Sequence, residues 1–190
     1  MYKNFIEDQH FQNIDYTENE LIKGDYENCT FSNCLFTNLN LSDINFVECI
    51  MENCDLTMVK LSNAGFRDVK FRECKLLGLR FEDCNDFLFA VDFDSCQLNL
   101  SSFYQRTLMN TRFKDCILHE VDFTEADLGG STFDNSDLSG AIFNNTVLEK
   151  ADFREAYNYS IDPEQNRIKK AKFSMQGLVG LLIKYEIEVE

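Results

Sequence analysis

The 190 residues include 33 acids against 18 bases, a formal charge of −15. Charge of that sign repels phosphate, which excludes direct nucleic-acid binding and favours a basic partner surface. No apolar run reaches the length of a membrane span, and the opening MYKNFIEDQH has neither a basic nor an apolar leader segment. The expected compartment is therefore the cytoplasm, with the eight cysteines reduced.

Residues 1–10 are expected to form an N-terminal cap. From Phe11 a large apolar residue recurs at every fifth position: Phe11, Tyr16, Leu21, Tyr26, Phe31, Phe36, Leu41, Phe46, Met51, Leu56, Leu61, Phe66, Phe71, Leu76 and Phe81. The register slips by two within residues 84–90, which leaves Phe87 and Phe89 without a slot and predicts a small surface bulge there. It resumes at Leu88 and runs through Phe93, Leu98, Phe103, Leu108, Phe113, Leu118, Phe123, Leu128, Phe133, Leu138, Phe143 and Leu148 to Phe153. Neither the 3.6-residue period of a helix nor the two-residue period of a strand produces such a pattern.

Two places before each large residue the side chain is usually small or β-branched, as at Cys34, Cys54, Ala64, Val69, Val121, Ala126, Ser136 and Ala151. One large and one small inward residue in every five suits a chain that turns a corner every five residues. Four such sides close a 20-residue coil, and the next coil stacks on it by parallel β-type pairing. Positions twenty apart, allowing for the slip, share residue type. The first side carries Phe11, Phe31, Met51, Phe71, Phe93, Phe113, Phe133 and Phe153; the second runs from Tyr16 to Leu138, the third from Leu21 to Phe143, and the fourth from Tyr26 to Leu148. Like stacked on like is what a close-packed interior requires.

Segments such as Ala126-Asp127-Leu128-Gly129-Gly130 and Ala151-Asp152-Phe153-Arg154-Glu155 follow the pattern A-(D/N)-L-x-x. On these repeats, over residues 11–153, the chain resembles the pentapeptide repeat family. The resemblance implies an all-β fold, a right-handed quadrilateral parallel β-helix of about seven coils spanning residues 11–158. Residues 159–190 follow as a turn at Asp162-Pro163, a helix and a tail. Leu178, Leu181, Leu182 and Tyr185 fall at i, i+3, i+4 and i+7, which predicts a short amphipathic C-terminal α-helix.

Few residues suggest chemistry. Cys34, Cys54, Cys74, Cys96 and Cys116 share one column and Cys29 and Cys49 a neighbouring one, all in small inward slots where a thiol is an apolar filler. A straight ladder does not offer the converging tetrahedral ligands of a zinc site, so no metal and no cofactor are expected. Cys84, beside the break, is the expected exposed thiol. His10 and His119 have no nucleophile partner, and no phosphate-binding glycine motif occurs, so no catalytic residue is assigned.

Charge is unevenly placed: residues 1–59 carry 11 acids and 2 bases, residues 60–81 carry 6 bases and 2 acids, and residues 82–164 carry 17 acids and 5 bases. A basic belt thus separates two acidic stretches. The candidate partner-binding face is Asp115, Glu120, Asp122, Glu125, Asp127, Asp134 and Asp137.

The long rod, its Phe/Leu columns, one mid-rod irregularity and an apolar C-terminal end are similar to the Qnr-type and mycobacterial quinolone-resistance members of the family. That likeness implies a non-catalytic DNA mimic that binds DNA gyrase or topoisomerase IV and protects it from quinolones or a gyrase poison. It also implies a homodimer through the C-terminal end, with Leu178, Val179, Leu181, Leu182, Ile183, Tyr185, Ile187 and Val189 as candidate interface. The alternative is a non-catalytic interaction scaffold with another target.

Overall fold

A computed structural model describes residues 4–188. Every residue of the four columns is buried except Phe11 and Leu21 at the N-terminal end, which are half-buried, and Leu88. The first side is a nine-stranded parallel sheet from His10–Gln12 to Lys172–Phe173, with Phe11 opposite Phe31, Phe31 opposite Met51, and so on in strict register. The fourth side begins as a four-stranded parallel sheet of Asn4–Glu7, Gly24–Glu27, Asn45–Val47 and Gly65–Arg67. The second side and most of the third are held by single parallel bridges, such as Leu35 to Asp55 and Ser102 to Asp122.

In-register stacking turns each column into a pile of rings. Along the first side Phe93, Phe113, Phe133 and Phe153 lie nearly parallel, with centroids 5.2, 5.0 and 4.6 Å apart in turn. Rings of adjacent sides meet edge to face, as Phe113 and Phe123 do at 5.9 Å. Both geometries suit the aromatic quadrupole. Corners require the left-handed backbone region, and Asn or Asp fills many of them because a short polar side chain tolerates it. These side chains ladder outside the coils: Asn53 donates to Asn33 at 2.7 Å and Asn135 to Asp115 at 2.7 Å.

The thiols do structural duty. Cys54 Sγ donates to the Phe31 carbonyl one coil above at 3.3 Å, and Cys74 donates to that of Met51 at 3.3 Å. Further down the same column Ser136 Oγ makes the equivalent bond to the Phe113 carbonyl at 3.3 Å. All eight cysteines are free and buried. Cys84, expected at the surface, is also buried, and burial pushes its thiol up to about 12.

Four expectations need correction. Residues 4–10 are rungs rather than a separate cap, for Asn4 already pairs with Gly24. The rod also extends a coil beyond Phe153: Val147 pairs with Arg167, and Phe173 stacks on Phe153 at 5.4 Å. The periodicity hides that coil because the steps of five after Phe153 fall on exposed Asn158 and on Pro163 before Ile168 and Phe173 resume the pattern. A polar residue, Asn166, also fills one of its small inward slots. Its amide is satisfied there by the Phe143 carbonyl at 2.8 Å and the Thr146 N–H at 2.8 Å.

Third, the C-terminal segment is not an α-helix but two short 3-10 turns, Gln176–Leu181 and Ile183–Tyr185. Gly177 and Gly180 lie directly against Tyr159, where any Cβ would collide, and the Ile161 N–H donates to the Gly180 carbonyl at 3.0 Å. Packing flat on the last coil thus dictates the tighter turn. Fourth, the inward register does not resume at Leu88, which is 66% exposed; Phe89 turns inward in its place.

Phe113→Ala removes one disc from a filled pile and is expected to cost about 3–5 kcal/mol. Cys54→Ser is expected to cost only about 1 kcal/mol, because the hydroxyl can repeat the bond that Ser136 makes. Chemical denaturation of both variants checks the order.

Candidate functional site

The break is a four-residue excursion. Asn85 N–H still donates to the Ala64 carbonyl at 2.9 Å, and Ala90 N–H picks the ladder up again at the Phe66 carbonyl at 3.0 Å. Residues 86–89 lie between them. Phe87 is 63% exposed, with the Arg67 guanidinium 5.0 Å above its ring and Arg67 Nε donating to its carbonyl at 3.3 Å. Phe89 is half-buried and edge-on to Phe81 and Phe66, at 6.3 and 6.5 Å.

What holds this loop is a residue that sequence periodicity passed over. Arg106 occupies the small inward slot two places before Leu108 and is only 4% exposed. Its guanidinium sits 4.2 Å over the Phe89 ring. Nη1 donates to the Cys84 carbonyl at 3.1 Å and to the Asp86 carboxylate, and Nη2 donates to the Asn85 carbonyl at 3.3 Å. A planar five-donor fork suits this role as a single ammonium does not. The signal was present in the sequence: an arginine stands one coil below the break in a slot that elsewhere holds uncharged Gly, Ile, Ala, Cys, Thr or Asn.

The seven candidate acids do not form one face; they encircle two coils. Asp134 lies in the nine-stranded side and Asp115 at its corner. There the acids are matched by cations along the rungs. Arg112 approaches Asp134 at 3.3 Å, Lys114 bridges Asp94 at 3.1 Å and Asp115 at 3.4 Å, and Asp152 takes Arg154 at 2.8 Å and Lys172 at 3.2 Å. Asp137, on the second side, meets His119 at 3.0 Å. Partial burial works to raise the Asp137 carboxyl, but bonds from His119, Ser139 and Asn158 outweigh it and hold the group down at about 2, so it is charged at neutral pH.

The remaining four run in sequence from the corner of the second side, across the third, to the fourth. Glu125 accepts from the Gln105 amide at 2.7 Å, Asp122 from the Thr124 N–H at 2.8 Å, and Asp127 from the Gly129 N–H at 2.9 Å. Among the described residues none of Glu120, Asp122, Glu125 and Asp127 forms an ion pair. Among the seven candidates, those without an ion pair therefore lie away from the nine-stranded sheet.

At the C-terminal end Lys184 bridges Asp162 at 2.6 Å and Glu164 at 2.8 Å, tying the turns to the last coil. Leu181 packs on the core, and Leu182 is half-buried. Leu178, Val179, Ile183, Tyr185 and Ile187 remain exposed on one end of the rod, while Val189 lies outside the described residues. Among the described residues there is no cluster suited to a metal ion, and no helix long and apolar enough to cross a membrane.

This repeat architecture defines a stacked-coil scaffold, and comparison gives it a family. The pentapeptide repeat region model matches residues 24–86 and 80–153, so the chain belongs to the pentapeptide repeat family. Among solved structures it is similar to a trypsin-treated variant of QnrB1, a plasmid-mediated fluoroquinolone resistance protein. That pair shares 21% identity over 98% of this chain and 92% of the other, with a TM-score of 0.55, a likeness of fold. HetL, involved in heterocyst differentiation regulation in Nostoc sp. strain PCC 7120, matches with 16% identity over 90% of this chain and 88% of its own, with a TM-score of 0.35. No curated protein sequence matches the chain.

Arg106→Ala is expected to release the loop and to cost on the order of 2–3 kcal/mol, through lost charge-assisted bonds and the ring contact. Hydrogen exchange should quicken at the Phe87–Ala90 amides while those around Phe113 stay protected.

Proposed function

We propose that this protein is a non-catalytic, cytoplasmic, acidic rod that occupies a protein surface built for duplex DNA, with a type II topoisomerase, DNA gyrase or topoisomerase IV, as the partner. Protection of that enzyme from quinolones follows from such occupancy. The observation that carries this reading is the unpaired arc Glu120, Asp122, Glu125 and Asp127 on a narrow rod of net charge −15. Unpaired carboxylates on three sides present a field like that of phosphates, while the internally paired nine-stranded side does not. Such a field speeds encounter with a basic surface and orients it. The fold shared with QnrB1, whose own role is fluoroquinolone resistance, supports the same direction.

The same reading includes a homodimer through the C-terminal ends. The exposed Leu178, Val179, Ile183 and Ile187 form more apolar surface than the last coil covers, and a two-fold axis there would bury both copies in one self-complementary patch.

Gyrase supercoiling in ciprofloxacin, with and without the protein, tests the first proposal. Wild type should restore supercoiling and lose that ability as salt rises. Reversing Glu120, Asp122, Glu125 and Asp127 to Lys should abolish it with the fold intact. Failure of wild type to bind either topoisomerase would refute the reading.

Light scattering at micromolar concentration tests the second and should return about twice the 22.1 kDa chain mass. Val179→Glu with Ile183→Glu should halve that value, and a wild-type mass near 22.1 kDa would rule the dimer out.

A further inference from the structure

Corners of the rod hold positive φ, and the described non-glycine residues there are polar or charged with three exceptions: Met58 (φ 56°), Leu88 (φ 55°) and Leu100 (φ 61°). A bulky apolar side chain is disfavoured in that backbone region, where Asn is tolerated. Leu88 belongs to the loop already described. Met58 and Leu100 do not: they lie in one column, two coils apart, on the corner between the second and third sides. They are 58% and 64% exposed, so neither fills the core. Each thus combines an unfavourable backbone with an unfavourable exposure, and neither side chain belongs to the core. Such outliers point to function.

The two share one corner column. Gly78 stands between them, and the Met58 thioether lies over it; a Cβ on Gly78 would come within 2.7 Å of Met58 Sδ. Met58 N–H donates to the Leu77 carbonyl at 2.9 Å, and half-buried Leu77 flanks the column. The result is an apolar ridge along the corner.

Its electrostatic setting selects the occupant. Lys60, Lys75 and Arg80 border the ridge, but Lys75 faces Asp55 at 3.9 Å, and Arg80 is held by Glu82 at 3.1 Å and Asp83 at 3.6 Å. The ridge is therefore close to neutral, between stretches carrying 11 acids against 2 bases and 17 against 5. A complementary surface is apolar in the middle and basic on both flanks. We infer that the Met58–Leu77–Leu100 ridge is the apolar anchor with which the rod grips a basic protein surface, the carboxylates supplying encounter and the ridge the short-range hold. This rests on the reading of the rod as an acidic binder of a basic protein. It follows the general rule that a few desolvated apolar side chains dominate the energy of an interface.

The test is the double variant Met58→Asn, Leu100→Asn, which installs the residue common at other corners. Its melting temperature should equal or exceed that of wild type; a fall of several degrees would show that the two side chains hold the fold, and would overturn the inference. Binding is read by anisotropy of a fluorescein-labelled (Leu-Lys-Lys-Leu)3 peptide, a basic amphipathic probe, in salt high enough to screen the carboxylates. The double variant should bind at least tenfold more weakly, whereas Met109→Asn, an exposed apolar residue on another side, should bind as wild type does. Equal binding by the double variant overturns the inference, as does ridge-dependent self-association without peptide binding, which would make a second copy the occupant. Topoisomerase binding separates the two proposals. If wild type and the double variant bind the enzyme equally, the ridge role fails and the DNA-mimic reading stands. If wild type fails to bind the enzyme but the peptide result holds, the reverse applies.

Discussion

One spacing governs this molecule: successive coils repeat at the distance of parallel β-pairing, about 4.8 Å, with no stagger. Residues twenty apart are thus neighbours along the whole length, and each side chain must tolerate a near-copy of itself above and below. Phenylalanine does so by parallel offset stacking, as from Phe93 to Phe153. Cysteine and serine do so by donating to the carbonyl of the coil above, as Cys54 and Ser136 show. Burying a polar hydrogen in this interior is acceptable only because that carbonyl is always in reach.

The same spacing governs the surface, with opposite consequences on different sides. Like charges on adjacent rungs repel, and the nine-stranded side meets this by alternation: Arg72 is opposite Asp94, and Lys114 reaches back to Asp94. That side ends nearly neutral. Around Glu120–Asp127 the carboxylates are instead interspersed along the columns with Ser102, Ile142, Thr107 and Val147. Spacing them in this way limits repulsion without neutralising them, so the rod keeps an outward negative field there. Net charge alone says nothing of this division.

Irregularities stand out against such regularity. The slip at residues 84–90 is held by a buried guanidinium that satisfies carbonyls of the loop and stacks on Phe89, so the coil below stabilises the departure of the coil above. The ridge at Met58 and Leu100 is a second departure, invisible in the backbone and evident only in residue type.

The five-residue period, the 20-residue coil and the identity of nearly all core residues were legible in the sequence, because a filled interior with fixed stacking leaves almost no freedom at those positions. Legibility failed where one slot was filled by an unexpected residue type. Asn158 and Pro163 at the expected large positions concealed a whole coil, Arg106 concealed the anchor of the loop, and the choice between Leu88 and Phe89 could not be made from spacing. In each case the outcome depended on which hydrogen-bond partners and rings were within reach in three dimensions. The C-terminal segment shows the same limit: its apolar spacing fits an α-helix, yet the approach of Gly177 and Gly180 to Tyr159 made it two 3-10 turns. The number of acids belonged to the sequence, but their division into paired and unpaired groups was decided by tertiary structure, because only stacking brings Lys114 to Asp94 and leaves Glu120 without a cation.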